Sequence, residues 1–346
     1  MRCFLYVICL ISVFKVPVNA LTFDAPSVPQ SGKEYMPDTT NDFAEGLMEI
    51  FSNIIDEINP GIKESVSHCA GLIAIVILIS TIQLIHSSAK VTTEYAGVIA
   101  VAATLFFHTN TMIQLSGKTI SELSDYGKLL FPVMTAALAA QGGISSSTAI
   151  YIGASSFSSV LSMLVSSIFL PLVYLFLGLS VANGAIGDEI LKSMRDLLKQ
   201  LIGWSLKILL TVFTTYIGIT GAVSGATDAA ALKATKVTIS SFVPVVGGIL
   251  SDASEAILVS ISMAKNAAGI YGIFAIFAVF LKPFLQIGTH YLLLKATCGI
   301  CGIFGAKRTC ALIGDFSTAM GLLLAMTGTN CILLLISTIC FMKGVG

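Results

Sequence analysis

GAVSGATDAAALKATKVTISSFVPVVGGILSDASEAILVSISMAKNAAGIYG, residues 221–272, decides how the rest of the chain is read. Small residues dominate it, yet it carries Asp228, Lys233, Lys236, Asp252, Glu255 and Lys265, with Pro244 and the Gly247-Gly248 pair between the charged arms. Long apolar runs flank it on both sides. An ordinary spanning helix cannot look like this, because each ionisable group at the bilayer centre costs roughly 2.5–3.5 kcal/mol. An ordinary soluble loop would not hold Phe242-Val243-Pro244-Val245-Val246. The segment therefore reads as two helical arms bent around a Pro/Gly break, packed inside a membrane protein or lining a wet cavity.

Composition agrees. The chain has 346 residues, 55% hydrophobic and 11% charged, with a mean hydropathy of +0.91; a soluble domain carries about 25% charged residues. Lys+Arg and Asp+Glu both number 19, so no net charge draws it to nucleic acid. Lipid is the partner that composition implies. Residues 1–20 read as a signal peptide: Arg2 precedes an apolar run from Cys3 to Phe14, and Val18-Asn19-Ala20 suits cleavage after Ala20. That run is short against the roughly 20 residues of a span.

Residues 21–67 form an extracytoplasmic leader. Its first part, with Pro26, Pro29 and Pro37, has no periodicity and reads as extended or disordered. From Asp42, the apolar residues Phe43, Leu47, Ile50, Phe51, Ile54 and Ile58 recur at helical steps opposite Glu45, Glu49, Asp56 and Glu57. This amphipathic helix either packs on the protein or docks a partner, and Asn59-Pro60-Gly61 is expected to end it.

Residues 68–346 form the polytopic domain. Cys69–Ile85 and 96–115 are spans, joined by a polar turn with Lys90 and Glu94 on the cytoplasmic side. SGKTISELSDYGK (116–128) reads as an outer loop, and 129–141 as a half-span ending at Gly142-Gly143. Residues 148–182 run thirty-five positions without a charge, either broken at Pro171 or forming one long tilted helix. Serines 155, 156, 158, 159, 162, 166 and 167 would let backbones approach closely there. DEILKSMRDLLK (188–199) reads as an interfacial helix, placed in the cytoplasm by Lys192, Arg195 and Lys199. Residues 203–223 and 267–288, the latter bent at Lys282-Pro283, are further spans; 290–306 and 316–342 complete the set, with Lys307-Arg308 as a basic turn. The fold class is thus all-α: a polytopic integral membrane protein of roughly seven or eight spans, with re-entrant or broken helices and a short N-terminal amphipathic helix.

Chemical motifs are sparse. Cys298-Gly-Ile-Cys301 has redox or zinc spacing but lies in apolar CGICGIFGA without a second ligand pair, so cysteines packed between helices are expected. His68, His86, His108 and His290 are scattered. No catalysis, cofactor or metal is expected. Conduit or assembly candidates are therefore Asp228, Lys233, Lys236, Pro244, Gly247, Gly248, Asp252, Glu255, Lys265 and Asn266. Ser251-Asp252-Ala-Ser-Glu255 has the form of a capping box opening the second arm.

The string SGATDAAALKATK, FVPVVGGILSDASEA and KNAAGIYG resembles the signature region of the stage III sporulation protein AE family of endospore-forming bacteria. The resemblance implies a mother-cell membrane protein made during engulfment. It implies partners too: the other stage III A operon membrane proteins and a forespore membrane protein. Together they would form a channel or secretion-like apparatus across the two membranes, needed for late forespore gene expression and integrity. Self-association into a homo-oligomer is compatible with this reading. The alternative is a stand-alone secondary transporter, with 129–143 and 242–249 as the broken halves of a repeat; the two pieces share no sequence similarity.

Overall fold

The computed structural model describes residues 26–37, 43–85, 90–242 and 247–343, and side chains throughout these except at 90–91, 264 and, within 221–262, everywhere but Asp228. The signal peptide and Pro244 lie outside the described residues.

Among the described residues the structure is helical: α1 (Gln30–Lys33), α2 (Phe43–Ile85), α3 (Lys90–Ala140), α4 (Ile144–Leu164), a π-helical stretch (Val165–Phe169), α5 (Leu170–Ile186), α6 (Glu189–Phe242), α7 (Gly247–Ile303) and α8 (Lys307–Lys343). Six of the described stretches are long and apolar enough to cross a membrane: Phe43–Ile85, Thr92–Ala140, Ile144–Ile186, Glu189–Thr220, Lys265–Ile303 and Lys307–Lys343. That count is below the seven or eight expected, because pieces read as separate are joined.

Four joins correct the sequence reading. Helix α2 does not stop at Asn59-Pro60-Gly61 but continues to Ile85. The carbonyl that Pro60 leaves without a helical donor belongs to Asp56, and both residues are exposed on the described chain. The 116–128 segment is no loop but the middle of α3. Thr119 Oγ1 donates back to the Leu115 carbonyl at 2.8 Å, while Lys118–Glu122 and Asp125–Lys128 pair along the surface. Ser116, Ile120, Leu123 and Tyr126 are buried on the other face. Residues 129–140 accordingly finish α3 instead of forming a half-span. Likewise 188–199 opens α6, and α7 passes through Pro283.

The charge-free run 144–186 is continuous, with the π-helical turn placed just before Pro171. A proline cannot donate to the carbonyl one turn earlier, and the wider turn accommodates that loss. The serine expectation holds only in part: Ser158 is buried, whereas Ser156, Ser159, Ser166 and Ser167 are exposed. Close approach is made by Gly153 instead. A Cβ there would lie 2.2 Å from the Tyr216 ring of α6, whose hydroxyl donates to the Ala149 carbonyl at 3.1 Å.

Helices α7 and α8 are the most enclosed of the six, and α6 the least. The core includes Leu123, Phe131, Ile276, Phe316, Met320, Met326 and Leu334. Asn330, fully buried, donates from Nδ2 to the Ile120 carbonyl at 3.2 Å and ties α8 to α3. The leader is partly ordered, against the expectation. Tyr35 is buried beside Ile50, Ile54, Ile58, Phe274 and Ala278, so the amphipathic helix packs on α7. Tyr35 donates to the Glu57 carboxylate, and Lys282 donates to both.

The two ends of the bundle differ. One end gathers the start of α6, the end of α5 and the start of α8: Arg195 pairs with Asp315 at 2.6 Å, and Arg308 donates to the Ala185 carbonyl at 3.1 Å and pairs with Glu94 at 3.4 Å. Away from that end, α1 packs on Ala278 and Val279 of α7, and Lys265 of α7 reaches the α3–α4 turn further along.

Gly153→Ala should lower stability by about 1–3 kcal/mol through the clash with Tyr216. Gly178→Ala faces open space and should be neutral or gain up to about 1 kcal/mol from helix propensity. Thermal unfolding of the purified protein in detergent compares the two.

Candidate functional site

Gln141-Gly142-Gly143 separates α3 from α4, and its backbone is fully determined by local bonds. Gly142 takes a φ of 92°, a left-handed conformation open to glycine. The Gly142 N–H donates to the Ala139 carbonyl at 2.9 Å and the Gly143 N–H to the Leu138 carbonyl at 3.1 Å, which closes the end of α3. The start of α4 has no such local solution. Its cap position is Gly143, which has no side chain to accept from the first-turn amides.

Asp228 supplies the missing acceptor from α6. Its Oδ1 accepts from the Ser145 N–H at 3.1 Å and its Oδ2 from the Ser146 N–H at 2.7 Å. These are the amides that a helix's own cap residue would satisfy. The negative charge also faces the positive end of the α4 dipole. Asp228 is only 3% exposed. Burial would raise its pKa, but the hydrogen bonds from Ser146 and Ser145 outweigh this and hold it below the ordinary carboxylate value.

Lys265, on α7, reaches the same turn. Its Nζ donates to Gln141 Oε1 at 2.7 Å, and the side chain is 3% exposed. The first and last ionisable residues singled out in the 221–272 segment thus converge on the α3–α4 turn. Both are buried, so neither is a solvated charge at the membrane edge.

The other candidates are placed as follows. Asn266 is exposed beside Lys265. Gly247 and Gly248 open α7, so Ser251 and Asp252 lie inside its first turns and do not start it; the capping-box expectation fails for that reason. Lys233 and Lys236 belong to the continuous α6, not to a short separate helix. The side chains of Lys233, Lys236, Asp252 and Glu255 lie outside the described residues. Beyond Asp228, α6 runs on to Phe242, about 20 Å at 1.5 Å per residue, and α7 begins at Gly247, well before Lys265.

The cysteines of the CxxC stretch pack as expected. Cys301 is fully buried, and the Cys298 thiol donates to the Cys310 carbonyl at 3.2 Å. A second polar cluster is legible from spacing only in its Glu64–His68 pair. Glu64, His68 and His108 bring their ligand atoms within 4.8 Å of one another, with His290 alongside. The signal in sequence was the four-residue step from Glu64 to His68, which places both on one helical face.

Together these features define a polytopic helical membrane protein in which Asp228 and Lys265, at either end of the charged segment, are anchored to one helix turn. Residues 31–346 match the family described as stage III sporulation protein AE, and the chain belongs to that family. It is 25% identical over 173 residues to Stage III sporulation protein AE of Bacillus subtilis (strain 168). That match takes in 50% of this chain and 43% of the relative. No solved structure matches the chain.

Asp228→Ala should destabilise the protein by about 0.5–2 kcal/mol at neutral pH, with Asp228→Asn falling between it and wild type. Because the folded carboxyl titrates below its ordinary value, the contribution is present above about pH 4 and is lost as pH falls through the depressed value. Unfolding across pH should show the wild-type advantage shrinking in acid. Amide exchange at Ser145 and Ser146 should quicken in Asp228→Ala.

Proposed function

We propose that this chain is a non-enzymatic membrane subunit of the channel or secretion-like complex linking mother cell and forespore, acting with the other stage III A operon membrane proteins and a forespore membrane protein. Family membership supports the sporulation role. The observation that carries the assembly role is the asymmetry of the bundle.

Arg195 and Arg308, with Lys192, Lys199 and Lys307 near them in sequence, cluster at one end. Positive residues favour the cytoplasmic side. The leader, Asp228 and Lys265 then lie at the extracytoplasmic end. In a mother-cell membrane around the forespore, that end faces the second membrane. The arms from Asp228 to Phe242 and from Gly247 to Lys265 would be its assembly-facing element, carrying Lys233, Lys236, Asp252 and Glu255 towards a partner. Late forespore gene expression and forespore integrity would depend on that contact.

In an endospore-forming host lacking its own family member, the chain should restore sporulation and a late forespore reporter. A photo-crosslinker at exposed Asn266 should capture another stage III A membrane protein or the forespore partner. A host that sporulates normally without any family member would overturn the reading. So would a crosslinker at Asn266 that captures none of these proteins while sporulation is restored.

A further inference from the structure

We propose that Glu64, His68, His108 and His290 form a binding site for a divalent transition-metal ion of the zinc class, where α2, α3 and α7 meet. Glu64 and His68 stand one helical turn apart on α2, and His108 faces them from the antiparallel α3. The Nε2 atoms of His68 and His108 point at each other in direct contact. One ligand atom from each of Glu64, His68 and His108 falls within 4.8 Å of the others. In a tetrahedral zinc site the ligand atoms are about 3.4 Å apart, given Zn–N bonds of about 2.0–2.1 Å. Side-chain rotations of Glu64 and of the two touching imidazoles would bring the three ligand atoms to that spacing.

The second observation is His290. It is 2% exposed, and neither ring nitrogen has a hydrogen-bond partner. Its ring centroid lies 6.1 Å from that of His108. A buried imidazole with both nitrogens unpaired carries a desolvation cost, which a metal bond at one nitrogen would offset. Two imidazoles and a carboxylate, with a third imidazole beside them, suit zinc and its neighbours in the first transition row and not magnesium or calcium, which prefer all-oxygen sets.

An entry path is present. A cavity of about 210 Å³ is lined by Glu64, Ser65, His108, Thr111, Gln286 and Thr289, among others, and opens onto the cluster. Lining hydroxyl and amide groups could hydrogen-bond the ligands and fix their orientation. The cysteines are separate: among the described residues no thiol joins this group.

The test uses the full chain in detergent, purified on a histidine-free tag, stripped with chelator and titrated with Co²⁺, then with competing Zn²⁺. The expected result is about one Co²⁺ per chain, with the intense visible bands of a tetrahedral site, displaced by Zn²⁺. His68→Ala and His108→Ala should abolish these bands. Glu64→Gln, at an exposed position that leaves folding intact, and His290→Phe should each weaken binding about 10–100-fold. The Cys298→Ser/Cys301→Ser/Cys310→Ser variant should bind as wild type does. No saturable Co²⁺ binding by folded wild type would overturn the proposal. So would binding that Glu64→Gln and His290→Phe leave unchanged, or binding lost in the cysteine variant.

Discussion

A helix that begins inside a packed membrane protein must find acceptors for its first amides, since no bulk water is at hand to take them. In this chain the demand falls on α4, whose cap position is a glycine. Asp228 meets it from a helix distant in sequence, and that one carboxylate fixes how α6 lies against α4. Downstream along the same pair, the Tyr216 hydroxyl bonds Ala149, and Gly153 leaves room for the ring. Lys265 then fastens α7 to the residue just before the turn. Three helices are thereby registered by a few bonds around Gln141–Ser146.

The opposite end uses a different device. Arg195 and Asp315 form a half-closed ion pair, their side chains 12% and 15% exposed. Such pairs add little net stability, because desolvation cancels much of the attraction. Removing one partner strands the other, however, and alternative registers do the same. The pair therefore selects the alignment of α6 and α8 more than it strengthens it. Arg308, bridging the Ala185 carbonyl and Glu94, acts similarly between α5, α3 and α8.

The apolar runs and the charge distribution were enough to read a helical membrane protein, and the two arms of the 221–272 segment are helical where the chain is described. Helix continuity was harder. Proline and polar residues normally end helices, but Asp56 and Pro60 are exposed, and within 116–128 Thr119 bonds back to its own helix while charged pairs line the surface. The leader's order was hidden for another reason: Gly32 matters only because α1 presses on Ala278 and Val279, far along the chain. The roles of Asp228 and Lys265 needed partners 82 and 124 positions away. The histidine cluster likewise draws on three helices, so no local spacing could display it.

Anchoring both arms at one turn has a mechanical consequence. Between Asp228 and Lys265 the described backbone is helical up to Phe242 and again from Gly247. Each arm is thus a stiff continuation of a helix already fixed in the bundle. A shift of the α3–α4 turn would move both anchor points, and the stiff helices would carry it outward along about 20 Å. The reverse holds by linkage: a load on the arms acts on the turn through the Asp228 and Lys265 bonds. Since the turn ends α3, and α3 holds His108 and packs on α8 through Asn330, such a load reaches the core without crossing a flexible loop. A family member built this way joins its charged segment to its membrane-embedded centre by rigid helices, with the Asp228 cap as the joint.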